Sequence, residues 1–161
     1  MKTKFKNILI GITFLFSAFI FAEQTSKKVY VVPIQDVIDL GIPGLVTRAI
    51  NLAEADNASL IIFDIDTFGG RVDAATQIKD AISSTEIETI AFINRRAISA
   101  GSLISLSCDQ IYMTEGATIG ATSVVDMSGS KQSEKSQSYM REEMAATAEK
   151  SGKNPDIARG M

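Results

Sequence analysis

Short apolar or β-branched runs along this chain alternate with stretches whose apolar residues recur every three or four positions. Val29 to Ile34 is the first such run, and Pro33 near its end predicts that the backbone leaves the sheet there. After a turn at Gly41–Ile42–Pro43–Gly44, Leu45, Ala49, Leu52 and Ala53 trace the buried stripe of a helix that closes at Asp56 and Asn57. Ser59 to Ile65 is almost continuously apolar, the pattern of a strand covered on both faces. Gly69–Gly70 follows at once, then a helix over 73–82 with Ala74, Ile78 and Ile82 on one side. Thr89 to Ile93 predicts another buried strand, Ser99 to Leu106 a helix, and Gln110 to Met113 the next strand. From Met127 to Ser138 the chain turns serine-rich with little to bury, which predicts an exposed loop. Tyr139 to Lys150 is helical again, with Met140, Met144 and Thr147 or Ala148 on its packing side, and Asn154–Pro155 opens a further helix. Strand and helix take turns, an order that favours α/β architecture with a mostly parallel sheet and helices over its faces.

The N-terminus has a different grammar. Lys2, Lys4 and Lys6 precede fourteen uncharged residues, Ile8 to Phe21, and Ala22 stands before Glu23. A basic start, an apolar centre and a small residue at the boundary predict a secretory signal over 1–22, cleaved to leave a single domain over 23–161. Fourteen residues fall short of the roughly 20 that a spanning helix needs. The protein is therefore expected to be exported across the inner membrane, to a periplasmic or membrane-associated location.

Charge and composition then narrow the chemistry. The whole chain carries a formal net charge of −3, and loss of the three leader lysines takes the remainder to −6. Such a balance gives no basic face for nucleic acid. One cysteine, Cys108, excludes an intramolecular disulfide, and its apolar surroundings predict a core residue. With a single Cys and no His the usual ligands of zinc or haem are missing, so neither a metal nor a cofactor is expected.

Two segments could carry chemistry. Asp66–Thr67–Phe68–Gly69–Gly70 ends one strand, and Ala97–Ile98–Ser99–Ala100–Gly101 ends its neighbour. In a parallel sheet both lie at the carboxyl edge, where open α/β folds bind ligands. Ser99 would stand at the first turn of a helix, and the N–H groups of Ala100 and Gly70 could together hold an oxyanion. The same residues also fit a plain helix cap and a plain glycine turn. A histidine-containing triad cannot be built from this chain, so a serine nucleophile would need lysine as its base, with burial leaving part of the amine neutral. Lys79, beside Asp80, reads as a solvated residue, while Lys131 and Lys135 lie in the polar stretch after Gly120.

Ile65–Asp66–Thr67–Phe68–Gly69–Gly70–Arg71–Val72 resembles the oxyanion segment of the NfeD family of membrane-bound serine proteases, relatives of signal peptide peptidase and ClpP. Ile98 to Ile104, followed by Cys108 to Met113, resembles that family's nucleophile helix and next strand. Ala117 to Ala121 resembles its following turn, and Ser136 to Ala158 its helix pair. Phe68 departs from the pattern, which has Pro there. The resemblance implies a ClpP/crotonase-like fold and a Ser-Lys endopeptidase acting on hydrophobic or membrane-protein peptide segments. Ser99 is then the nucleophile, Gly70 and Ala100 form the oxyanion hole, and Lys135 is the base with Lys131 as the alternative. It also implies a stomatin-like membrane partner and a homo-oligomer. Family proteins continue with further protease sequence and membrane helices, so the chain reads as the N-terminal protease part, incomplete at its C-terminus. A truncated domain with only a binding or scaffold role at the membrane is the rival reading. Another is a crotonase-type enzyme that stabilises a thioester enolate with the same two donors.

Overall fold

The computed structural model describes residues 27–125 and 129–161; the expected signal over 1–22 lies outside the described residues. Five strands form one sheet. They are β1 (Val29–Ile38), β2 (Leu60–Gly70), β3 (Thr89–Ile98), β4 (Gln110–Met113) and β5 (Thr118–Gly120). The order is β1-β2-β3-β4, all parallel. β5 pairs with Arg96–Ile98 of β3, just beyond the stretch that pairs with β4. Parallel neighbours need long crossovers. Here these are supplied by α1 (Ile42–Ala55), α2 (Val72–Ile82) and α3 (Ala100–Ser107); α4 (Glu134–Lys150) and α5 (Pro155–Arg159) follow the sheet.

All of these helices bury against one face. Ile61, Phe63 and Ile65 of β2 are wholly inaccessible and join Val32, Ile34, Ala91 and Ile93 in the same core as the helices. Their alternate neighbours Leu60, Ile62 and Asp64 are only half-buried, and Val31 and Tyr112 are exposed. The expectation that 59–65 is covered on both faces is therefore corrected: among the described residues the second face is open. Period-two burial survives inside a run that looks uniformly apolar because Leu60 and Ile62 occupy the open side.

β1 also corrects the reading of Pro33. The strand continues to Ile38, because β1 is an edge strand and a proline without an N–H is tolerated there. The irregularity comes later, at Asp36 with φ 62°, where the register shifts between Gln35 and Val37. Beyond it, Val37 and Ile38 pair with Gly69 and Gly70.

Helix phases follow the tertiary contacts. α1 starts one residue ahead of Pro43, and it buries Pro43, Val46, Ile50 and Ala53 while Leu52 stays exposed. The stripe through Leu45, Ala49 and Leu52 is thus one position out of register. α2 buries Ala74, Ala75, Ile78 and Ile82, as its spacing predicts. α4 begins at Glu134 rather than near Tyr139, because the Ser133 hydroxyl caps it by accepting from the Ser136 N–H. Met140, Met144, Thr147 and Ala148 are buried as expected. Lys79 is not the solvated residue its neighbours suggest. It bridges Asp80 (2.8 Å) and Glu143 (2.6 Å), tying α2 to α4.

Every residue of α3 is buried. A cation ties the turn that follows it: Lys153 Nζ donates to the carbonyl oxygens of Cys108 and Asp109 and to Ser151. Cys108 itself is buried, as expected, and that burial pushes its thiol up to about 12. The unfolded chain releases this proton at lower pH than the native one does. Stability conferred by the neutral thiol is therefore present below the ordinary thiol pKa and is lost as pH rises toward 12. Urea unfolding followed from pH 8 to 11 should show a steeper loss of stability in the native protein than in Cys108→Ala. The difference should approach about 1.4 kcal/mol per pH unit; parallel curves would refute the assignment.

Candidate active site

The site is built where β2 and β3 end. Ser99 follows β3 directly and precedes α3 with φ 54° and ψ −113°, a conformation that costs a non-glycine residue roughly 1–3 kcal/mol. Its hydroxyl does not cap the helix, which removes the plain-cap alternative. Among the described residues the Ser99 side chain makes no hydrogen bond at all. Its backbone is fixed instead, with the N–H donating to Gly120 O at 2.9 Å and the carbonyl accepting from Ser102 N–H at 2.9 Å.

The glycine pair is shaped to this serine. Gly69 has φ 108°, and a Cβ there would lie 2.8 Å from Ser99 Cβ. A Cβ on Gly70 would lie 2.2 Å from Ile38 O. Neither position accepts a side chain without backbone movement. Thr67 sets the turn: its hydroxyl donates to Asp36 O and accepts the Gly69 N–H at 2.9 Å. Gly101 lets α3 settle onto β2, since a Cβ there would come 2.6 Å from Thr67 Cγ2.

The other serines of α3 are structural. Ser102 donates to Ala97 O at 2.7 Å and accepts the Gly120 N–H at 2.8 Å, pinning β5 to the helix start. Ser105 donates to Gly101 O. Both are fully buried.

Gly70, Ser99 and Ala100 line one cleft together with Val72, Leu103, Thr122 and Met140. The first N–H groups of α3 have no intrahelical acceptor, and the positive end of the helix faces this cleft. Lys135 lies in the first turn of α4, exposed, in a depression that shares Val72, Val124 and Met140 with the cleft of Ser99. Lys131 is exposed too, and its backbone bridges Val125 in antiparallel fashion. Ser99, Gly70 and Ala100 are thus brought together. Neither lysine hydrogen-bonds Ser99, and among the described residues neither Nζ has an ion-pair partner. Glu134 is engaged elsewhere: Arg141 at 2.5 Å holds its carboxyl below the usual range.

Two contributors escaped the sequence reading: Thr122 and Gln137. Gln137 clamps the backbone of Val124, accepting its N–H at 3.1 Å and donating to its carbonyl at 2.6 Å. A glutamine two residues after Lys135 in a serine-rich stretch gives no signal of its own.

Known proteins share much of this sequence and fold. Membrane protein NfeD1b of Bacillus subtilis is 36% identical over 160 residues, covering 98% of this chain and 36% of that protein. Membrane-bound protease PH1510 of Pyrococcus horikoshii is 35% identical over 119 residues, covering 69% of this chain and 27% of that protein. The chain thus spans about a third of the length of these curated relatives. Among solved structures, a membrane-bound stomatin-specific protease in complex with a substrate peptide, as a lysine-to-alanine mutant, superposes with a TM-score of 0.78 at 31% identity. That match covers 84% of this chain and 65% of the other. ClpP1 from Listeria monocytogenes, at 20% identity and TM-score 0.61, shares the fold over 81% of this chain and 76% of its own. Residues 28–161 match the family described as NfeD1b, N-terminal domain, and the chain belongs to that family.

Proposed function

We propose that this domain is a serine endopeptidase of the Ser-Lys type. The observation that carries the reading is Ser99 itself. A strained serine, uncapped and unbonded, faces a cleft between a glycine-only strand end and the positive end of a buried helix. Strain of this kind persists only where the surroundings enforce it, and it clusters at functional sites.

In the proposed mechanism the Lys135 side chain swings across the wall formed by Val72, Val124 and Met140. Its neutral amine takes the proton of Ser99 Oγ as that oxygen attacks a peptide carbonyl. The N–H groups of Gly70 and Ala100 hold the tetrahedral oxyanion. Collapse expels the amine of the C-terminal product, which receives the proton from Lys135, and leaves an acyl-serine. Lys135 then deprotonates a water that hydrolyses the ester, and the proton returns to Ser99. The apolar side chains of the cleft and the exposed Val125 and Tyr139 beside it suit an extended hydrophobic segment. By likeness to the stomatin-specific proteases, the substrate is a segment of a stomatin-like membrane protein. The scaffold reading draws on one observation, the lack of contact between Ser99 and either lysine.

A fluorophosphonate probe should modify the protein once, at Ser99, and Ser99→Ala should abolish both labelling and cleavage of an apolar peptide. An adduct mapped to Ser102 or Ser105 would contradict the assignment.

Lys135→Ala should lower kcat/KM by about 10²–10⁴-fold. Lys135→Arg should be nearly as damaging, since guanidinium cannot accept a proton at working pH. Lys131→Ala should keep most of the activity. The reverse ranking would transfer the base to Lys131, and full activity in every variant would exclude a lysine base and favour the scaffold reading.

Gly69→Ala should leave the protein folded enough to purify but displace Ser99, with a loss of roughly 10²–10³-fold in kcat. Unchanged turnover with normal labelling kinetics would show that the close approach of Gly69 to Ser99 is not needed.

A further inference from the structure

The cleft of Ser99 contains a second hydroxyl with nothing to bind. Thr122 Oγ1 is buried and has no hydrogen-bond partner among the described residues. Its backbone is held on three sides. Two residues before it, Gly120 is clasped by Ser102; its own N–H donates to Met161 O at 2.8 Å; two residues after it, Val124 is clamped by Gln137. A buried unpaired hydroxyl costs about 1–3 kcal/mol, and it calls for an explanation in a segment so firmly anchored.

We propose that Thr122 is a positioning residue for the base. Its Oγ1 accepts a hydrogen from the Lys135 amine when that side chain enters the cleft, and so directs the amine toward Ser99. The inference rests on the Ser-Lys reading. Three observations favour an amine over a substrate amide as the missing partner. First, the cleft is poor in acceptors: its other side chains are mostly apolar, with hydroxyls only on Ser99, Thr122 and Ser123. A lysine stripped of water needs acceptors for its N–H groups, and Ser99, which donates its own proton to the amine lone pair, supplies none while reacting. Second, Gln137 lies in the same helical region as Lys135 and grips Val124, so the distance between the lysine backbone and Thr122 is set by one clamp. Third, Val124 walls both the cleft of Thr122 and the depression of Lys135.

Thr122→Val keeps the shape and removes the hydroxyl, whereas Thr122→Ser keeps the hydroxyl. With an apolar peptide, Thr122→Val should lower kcat roughly 10- to 100-fold with little change in KM, and Thr122→Ser should restore most of the rate. A raised KM at unchanged kcat would assign Thr122 to the substrate, and unchanged kinetics would leave it without the role; either overturns the proposal. A readout independent of turnover is the ¹⁵Nζ spectrum of lysine-labelled Ser99→Ala protein with and without the peptide. Lys135, identified by its loss in Lys135→Arg, should show a solvent-protected Nζ signal that persists with Thr122→Ser and vanishes with Thr122→Val. If that signal is the same in both, the proposal fails whatever the kinetics. If it behaves as expected but Ser99→Ala still cleaves peptide, the contact stands and the assignment of Ser99 as nucleophile falls.

Discussion

The arrangement at the carboxyl edge depends on one steric constraint: β3 passes into α3 through a single residue, with no loop between them. Ile98 still pairs with β5, and Ala100 is already helical. Ser99 must make the whole turn, and its positive φ is the consequence. That turn is possible only because Gly69 presents no Cβ to Ser99 and Gly120 O accepts the Ser99 N–H. The strain is then offset by contacts distributed over β1, β2, β5 and α3, so no local relaxation relieves it.

The same constraint orders the neighbouring segments. Thr67 ties the end of β2 to Asp36 and to Gly69, and the irregularity in β1 carries Ile38 onto Gly70. Ser102 does for β5 what Thr67 does for β2, bonding the strand end to the first turn of the helix. Beyond the far end of α3, the Lys153 ammonium holds the carbonyls of Cys108 and Asp109 in the turn that leads to β4. A fully buried helix thus has a lysine-tied turn behind it and an open cleft at its positive end.

Much of this was legible in the sequence, and the exceptions share a cause. The positions of β1 to β4, the apolar side of α2 and the buried methionines of α4 follow from periodicity, because one face of each element decides its fate; β5 stands where the sequence reads as a turn. Pro33 misled because edge and central strands are identical in sequence, and the sheet order alone distinguishes them. Leu52 misled because α1 has apolar residues around more than half its circumference, so its phase is set by its neighbours. The early start of α4 depends on a serine cap inside a serine-rich stretch, where one candidate looks like the next. Of the site, the residues at the strand ends were visible, since Gly69–Gly70 and Ser99 each stand a few residues past an apolar run. Thr122 and Gln137 were not, because their significance lies in partners made, or lacking, across the fold.

The separation between Ser99 and the lysines has a physical reading of its own. An exposed ammonium is well hydrated and a poor base, and an amine becomes a base near neutral pH only when it loses that hydration. Lysine is suited to such a transition, since its four-carbon stem can lie along apolar surface while its nitrogen moves. Val72, Val124 and Met140 form that surface between the depression of Lys135 and the cleft of Ser99. A bound apolar segment would displace water from the cleft and cover the same wall. Substrate binding and dehydration of the proposed base would then be one event. On this view the strained serine is held ready at all times, whereas the base is assembled only in the presence of something to cleave. That division would restrain hydrolysis by a domain whose proposed nucleophile stands open to its cleft.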